Sequence, residues 1–386
     1  MSRIKRKLDF YLDLLKWCAN YPASQTEHRK SILRDYLHLY REKGLTKEEY
    51  FEFEMESRSK EFRNSFLGLN EQRFYLDYLN PKKFYILARN KYLSHKILEN
   101  RGIRKTKMYC FYEPEGCAES HELAYAPAGV LRILQEKNVS SCVIKAAESS
   151  HGDKILVVKA IDYQENDAVL HLFNGSEILL TDILAQQPLI FEEIVQQTDQ
   201  MAALNPDSVN TVRFMTALYP DGEARIIATF IKIGRAGKCV DNAGAGGNVD
   251  ACVDPTTGIL QYAIRYDGVR NCQDIDNHPD TDVPINGVAI EDWGQIKAEV
   301  LRFQQAFPYV KVAGWDIAVT DDGPVVIEVN DMWDRTGQAF IRRGWREEIR
   351  DCYFAWQRTG KKFYMGRYNN MLWTEDLEKI ARKEFN

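Results

Sequence analysis

No stretch of this chain approaches the run of about 18 consecutive apolar residues that a membrane-spanning helix needs, so no integral membrane segment is expected. Residues 1–20 begin with basic side chains, but Asp9, Asp13 and Lys16 interrupt the apolar positions, and no small-residue cleavage site follows. That absence of a secretory signal predicts a cytoplasmic protein. The eight cysteines are Cys18, Cys110, Cys117, Cys142, Cys239, Cys252, Cys272 and Cys352, and no close pair faces a second pair of Cys or His. Neither a structural zinc site nor a disulfide scaffold is expected, and most of the thiols read as buried and reduced. An excess of positive charge is also missing, since 51 Lys and Arg stand against 56 Asp and Glu for a net charge of −5. A nucleic-acid coat or a basic disordered arm is therefore not expected. There is no internal repeat and no long low-complexity linker. With 386 residues, 45% of them hydrophobic, the chain is long enough for two or three domains, each with its own core.

What is present changes in texture along the chain. In the first 110 residues Tyr11, Leu14, Leu15 and Cys18 recur at helical spacing, as do Ile32, Leu33, Tyr36 and Leu37. Phe62, Leu67 and Leu69 then lead to Phe74, Tyr75 and Leu76. The heptad register does not persist, so a coiled coil is not expected. The run Lys83-Phe84-Tyr85-Ile86-Leu87 predicts a short buried strand, followed by a helix through Tyr92, His95, Lys96 and Leu98 that stops at Gly102. A helix over 127–136 and strands at 142–145, 155–158 and 190–195 make a small α/β module. Strands at 211–214, 225–230, 310–316 and 324–330, with a helix over 293–307, extend a larger α/β unit to about residue 345. Aromatic residues beyond it, including Tyr353, Trp356, Phe363 and Trp373, read as a packed helical tail rather than a nucleic-acid surface.

The most informative local set is Asp316, Glu328 and Asn330. Side chains alternate along a strand, so Glu328 and Asn330 share a side, and a tight return at 321–323 brings Asp316 alongside. Two carboxylates and an amide there suit Mg²⁺ between phosphate groups, although a polar strand end on an exposed turn reads the same way. Lys145 ends an apolar strand before the 146–154 loop, within reach of a phosphate that the loop amides and Ser149, Ser150 or Gly152 also approach. The spacing of a P-loop is absent, and Lys145 reads equally as an ordinary strand-end lysine. Backbone around Glu193 and Val195 is a candidate for an adenine edge, with Glu192 orienting Lys145. Asn210 and Arg213 are candidates for a phosphate or substrate carboxylate, since arginine presents a fixed fork. Lys232 and Arg235 add charge beside the glycine-rich loop at 241–248, which includes Asn242. On the acceptor side Trp293, Trp315 and Trp333 are candidates to frame a sugar ring, and His278, Asp280 and Thr281 to shape a cleft. His151 lies in the phosphate loop, and neither histidine has zinc-ligand spacing around it.

Asn90-Lys91, Val143-Ile144-Lys145, Phe191-Glu192-Glu193-Ile194-Val195 and Asp316…Glu328-Val329-Asn330 occur in the order of an ATP-grasp enzyme. More closely, Asn210-Thr211-Val212-Arg213, Asp241-Asn242…Gly246-Gly247, His278-Pro279-Asp280-Thr281 and Gly314-Trp315-Asp316-Ile317-Ala318 resemble the sugar-transfer-associated, TupA-like ATP-grasp family. The resemblance covers about 82–340. It implies an α/β ATP-grasp fold, to which the residue pattern adds a largely helical N-terminal region, a departure from the α/β preceding domain usual in the superfamily, and a helical C-terminal extension. The expected divisions are a helical region over 1–110, a small lid over 111–198, a large subdomain with the metal site over 199–345, and an extension over 346–386. The resemblance also assigns ATP contacts to Lys91 and Lys145, the hinge to 192–195, and Mg²⁺ to Asp316, Glu328 and Asn330. The expected reaction is ligation of a carboxylate to an amine through an acylphosphate, on a sugar acid or cell-envelope polysaccharide precursor. Substrates are then small-molecule carboxylates and amines, with sugar-linked compounds among the candidates. A kinase acting on a small molecule or sugar is the nearest alternative. A nucleotide-binding partner protein in an envelope-biosynthesis assembly is the second.

Overall fold

A computed structural model describes residues 3–21, 29–116, 118–148, 155–184, 187–239 and 248–360. Ser149, Ser150, His151, Gly152, Asn242 and the tail beyond 360 lie outside the described residues.

Five helices, Arg3–Ala19, Arg29–Lys43, Lys47–Glu52, Lys60–Ser65 and Leu69–Leu79, open the chain. Their starts are chemically marked: the Thr46 side chain accepts from the Glu49 amide while Glu49 reaches back, and Ser59 accepts from Phe62 N–H. The strand expected at 83–87 is instead a 3₁₀ turn, Lys82–Phe84, running into the helix Tyr85–Arg89. A buried strand would hide its residues on both sides, but here Ala88 is buried while Ile86 is 43% exposed. The apolar run wraps one side of a helix. Lys91–Asn100 follows, with Asn90 accepting from Leu93 N–H as its cap.

Among the described residues fourteen strands build two sheets. β1 (Met108–Tyr112), β2 (Leu123–Ala124), β3 (Cys142–Ala146), β4 (Leu156–Tyr163), β5 (Ala168–Leu172), β6 (Glu177–Leu179) and β7 (Leu189–Glu192) form the small sheet, in the order β2-β1-β7-β3-β4-β5-β6. β8 (Thr211–Leu218), β9 (Ala224–Ile233), β10 (Asn248–Val253), β11 (Leu260–Tyr266), β12 (Gln273–Asp274), β13 (Val312–Thr320) and β14 (Gly323–Asn330) form the large one, in the order β12-β11-β10-β9-β8-β13-β14. Among the described strands β1 and β2 are the one parallel pair, and a single parallel bridge also joins Lys105 to Val326 of β14. The helix Pro127–Glu136, with proline at its first turn, packs Val130, Ile133 and Leu134 onto Cys110, Ile144 and Phe191 of the small sheet.

The large sheet is covered on both faces. Trp293, Ile296, Val300 and Phe303 of the helix Trp293–Ala306 meet Phe214, Ile231, Trp315 and Ile317 on one face. On the other, Met215, Phe230 and Val312 join the N-terminal helices and Trp345, Ile349 and Tyr353. Each such large side chain, fully buried, contributes about 2 kcal/mol.

Asn80 fixes the helical region against the sheet. Its Nδ2 donates to Val312 O and Asp331 O, both at 2.7 Å, and its Oδ1 accepts from Lys311 N at 2.8 Å and Val312 N at 3.1 Å. It thereby ties the end of Leu69–Leu79 to the start of β13 and the end of β14. Replacing it with alanine strands Val312 N, Val312 O and Asp331 O, while Lys311 N keeps Leu79 O at 3.3 Å, so Asn80→Ala is expected to lower unfolding stability by about 3 kcal/mol. Urea denaturation checks this, and a loss below about 0.5 kcal/mol contradicts the anchoring role.

Candidate functional site

The candidate site lies where the small sheet, the large sheet and the helix Lys91–Asn100 meet. Antiparallel pairing puts Asp316 directly opposite Glu328 and opposite Arg213, and Gly314 opposite Asn330. A register shift between Asp316 and Ile317 follows immediately. Arg213 then lies across Gly314, where an added Cβ would meet the arginine Cδ at 3.4 Å, and a larger side chain would displace the guanidinium. Its fork grips Asp316, Nε to Oδ1 at 2.5 Å and Nη2 to Oδ2 at 2.8 Å. Lys232 Nζ stands 3.2 Å from the same Oδ1. Burial opposes the charge of Asp316, but Arg213 and then Lys232 outweigh it and hold its pKa down to about 2.

Above this floor, Lys91 Nζ meets Glu328 Oε1 at 3.2 Å. The Lys91 N–H donates to Ala147 O at 2.9 Å, and Asn90 Nδ2 donates to Glu148 at 2.9 Å, so the helix start is joined to the end of β3. Tyr92 stacks on Phe111 at 4.2 Å with rings nearly parallel, a second tie to the small sheet. Lys145 Nζ donates to Glu192 Oε2 at 2.9 Å, and Lys105 Nζ to Glu192 Oε1 at 3.0 Å. Burial works against ionisation of Glu192 too, yet the two ammonium groups hold its carboxyl well below the usual range. Lys105 was not among the residues that sequence reasoning selected. Its one local signal is a cation in the short stretch between Gly102 and β1, a pattern shared with Arg104 and Lys107.

The chain crosses into the small sheet at 105–108 and returns at 192–195, and these crossings are bonded together. Glu193 N donates to Lys107 O at 2.9 Å, and Lys107 N donates to Glu193 Oε1 at 2.8 Å.

Other sequence expectations are corrected. Trp315 and Trp293 are buried in the core beneath the sheet, with Trp293 stacked on Phe214 at 5.1 Å, and Trp333 is buried against the helical region. None presents a face for a sugar ring: Trp315 alternates with Asp316 and so points away from it. Asn210 spends its amide on Met201 O and Asn205 O and accepts from Gly234 N–H, bracing the end of β9 rather than reaching a ligand. His278 is buried, with Nε2 2.9 Å from Gly234 O. Arg235 lies apart from the Asp316 cluster and forks onto Asp280 at 2.7 and 2.8 Å, with Ala236 N–H donating to the same carboxylate. These contacts fix Arg235 and Ala236 just beyond the end of β9.

Among the described residues no three His, Cys, Asp or Glu side chains gather to hold a metal. The mixed set of Asp316, Glu328 and Asn330 fits Mg²⁺ by another observation. Asn330 Nδ2 is buried without a hydrogen-bond partner among the described residues, and a turned amide offers its oxygen in that place. Beside the two carboxylates this gives only hard oxygen donors, the chemistry that magnesium takes and zinc does not require.

A family model described as sugar-transfer associated ATP-grasp matches residues 70–350, well over half of the chain. Among solved structures, the ATP-grasp ligase PsnB complexed with a minimal precursor is 13% identical, with 72% of this chain and 63% of that one covered and a TM-score of 0.36. D-alanine–D-alanine ligase from Bacillus anthracis is 12% identical, with 71% and 70% covered and a TM-score of 0.39. Phosphoribosylamine–glycine ligase from Thermotoga maritima is 12% identical, with 77% and 62% covered and a TM-score of 0.43. The chain thus spans less than two thirds of the length of the first of these, and such distant likenesses carry no function to it. No curated protein matches the chain.

The Asp316 charge makes the site testable by pH. Its folded pKa lies below the unfolded value of about 4, so its contribution to stability is present above that pH and is lost as pH falls toward about 2. Asp316→Asn is expected to lower urea-unfolding stability by about 3 kcal/mol at pH 7, with the gap to wild type closing between about pH 4 and 2. A gap that stays constant over that span contradicts the charged state of Asp316.

Proposed function

The chain belongs to the sugar-transfer associated ATP-grasp family, and from that premise we propose that this enzyme joins a carboxylate to an amine at the expense of ATP. One observation carries the reading. The groups linked in the cleft are five cations, Lys91, Lys105, Lys145, Arg213 and Lys232, against three carboxylates, Glu192, Asp316 and Glu328. Asp250, opposite Lys232 in the strand pairing and buried, is a fourth carboxylate on this floor, and Glu148 and Glu193 lie at its edge, so the telling feature is the clustering of five cations and not a net charge. Such a cluster suits a polyphosphate beside a substrate carboxylate.

Lys91 and Lys145 are assigned to the phosphates, with Ser149, Ser150 and Gly152 on the adjoining loop. The Glu193 amide is already given to Lys107 O, so the Glu193 carbonyl and the Val195 amide are assigned to the adenine edge. Asp316, Glu328 and Asn330 would hold Mg²⁺, which when bound screens the repulsion among phosphate oxygens. Arg213 and Lys232 are assigned to orient the substrate carboxylate, with Arg235 and Asn242 on the acceptor side. The carboxylate oxygen attacks the γ-phosphorus and ADP departs, leaving an acylphosphate. The amine nitrogen then attacks the acyl carbon, phosphate leaves with the carboxylate oxygen, and the amine sheds its proton. The preorganised cations stabilise the charge that builds in both steps. The family's association with sugar transfer supports an acid borne on a sugar or an envelope polysaccharide precursor, and a cytoplasmic site is assigned because the proposed reaction consumes ATP. The small sheet with 111–198 is assigned as the lid, 199–345 as the large subdomain, and 1–110 and 346–386 as the flanking helical regions.

Two measurements test this. With ¹⁸O in the acceptor carboxylate of uronic acids or nucleotide-linked sugar acids, mass spectrometry is expected to find label in released phosphate and an amine-dependent product. A stable phosphorylated acceptor without amide favours a kinase instead, and bound nucleotide with no product across productive acids and amines favours a partner protein. Glu328→Gln is expected to lower kcat on the order of a hundredfold while adenosine binding is unchanged. Full activity with unaltered metal dependence rejects Glu328 as a ligand.

A further inference from the structure

Among the cations of the cleft, Lys105 is the most enclosed, with its side chain 3% exposed against Glu192 at 1% and Lys145 at 11%. Its remaining contacts are Thr106 Oγ1 and Ile327 O, each at 3.5 Å. Lys105 pairs with Val326 in parallel, and Val326 N donates to Arg104 O, so its backbone belongs to the edge of the large sheet. Lys145 instead belongs to β3 of the small sheet, and Glu192 ends β7 at the return crossing. The neighbouring buried His95 is kept neutral by desolvation, helped by the charge of Lys105, with its pKa pushed down to about 4. It therefore supplies no competing cation at neutral pH.

One carboxylate with two ammonium partners, each on its own oxygen, can release one and stay paired. We propose that Lys105 is a positioning residue that keeps Glu192 ionised and in place while Lys145 transfers from Glu192 to the nucleotide phosphates. The inference rests on the reading of Lys145 as a phosphate ligand. Burial pushes the Lys105 ammonium below its ordinary range and Glu192 holds against that push, so the pair is charged together; with Lys105 charged, departure of Lys145 takes the trio from one net positive charge to neutral. Without Lys105, the same departure leaves a lone buried anion, which the low-dielectric surroundings oppose, so Lys145 stays on Glu192.

Calorimetric titration of ATP with Mg²⁺, and separately of adenosine, tests this on the full chain. Lys105→Met is expected to weaken ATP about tenfold or more, because the apparent affinity scales with the fraction of molecules whose Lys145 is released, while adenosine changes less than about twofold. Lys105→Arg keeps the cation and is expected to stay within about threefold of wild type for ATP. Lys105→Met combined with Glu192→Gln removes both the cation and the anion it serves, and is expected to regain wild-type ATP affinity. ATP binding unchanged in Lys105→Met overturns the proposal, as do equal losses for ATP and adenosine, which mark a purely structural lysine. Should the single variant fail to fold, the double variant decides alone: wild-type ATP affinity supports the transfer, and a loss of about tenfold overturns it. Lys145→Met separates the two levels of argument. If it leaves ATP binding intact, the phosphate assignment itself falls and takes the proposal with it; if it weakens ATP while the Lys105 variants do not respond, the proposal alone falls.

Discussion

Everything around the cleft depends on the large sheet serving two apolar cores and a charged floor with the same strands. Alternation makes this possible. Along β13, Ala313, Trp315 and Ile317 enter one core, while Val312 faces the other and Asp316 lies on the floor beside it. A slip of one residue would drive Asp316 among Trp293, Phe303 and Phe307 and leave Trp315 over the cations. The register shift at Asp316 and Ile317 comes at the point where the strand leaves the floor, so the carboxylate keeps Glu328 as its opposite neighbour.

The buried ion pairs have a different meaning from those on the surface. Arg132 and Glu136, one helical turn apart and largely exposed, add little to stability. Asp316 and Glu192 are nearly inaccessible, and their cations first have to compensate the loss of water. An apolar side chain of similar volume would stabilise the fold as well. What the charges add is a set of ammonium and guanidinium groups held at fixed positions before any ligand arrives, with little reorganisation left to do.

The sequence made this floor legible where the pattern is local. Glu328 and Asn330 are two residues apart on an apolar strand, and Asp316 is one tight turn away, so period two places them together. Lys145 is marked by ending an apolar run. Lys105 carries no such mark, because its partner Glu192 is 87 residues further on and its neighbours Arg104 and Lys107 are also basic. Burial is likewise not written in residue type: Trp293, Trp315 and Trp333 look like a sugar platform until the packing shows which face each one takes. The strand expected at 83–87 failed because a short apolar run suits a buried strand and one side of a helix equally. Strands β10 and β11 escaped notice for the opposite reason, since Asp250 and Gln261 interrupt their apolar residues.

Two of the apolar cores differ in how far their members lie apart along the chain. Among the described residues, the core between the small sheet and the helix Pro127–Glu136 draws on positions 109 to 191 and so can close once that stretch has left the ribosome. The core beneath the N-terminal helices unites Leu14, Tyr36 and Phe74 with Val312, Trp345 and Trp356. Those helices precede their partners along the chain, so aromatic side chains such as Tyr36, Tyr50 and Phe66 stay uncovered until β13 and the helix Arg346–Arg358 have been made. The core under Pro127–Glu136 can therefore close before theirs, and the helical segment is the one that most needs shielding from aggregation during synthesis.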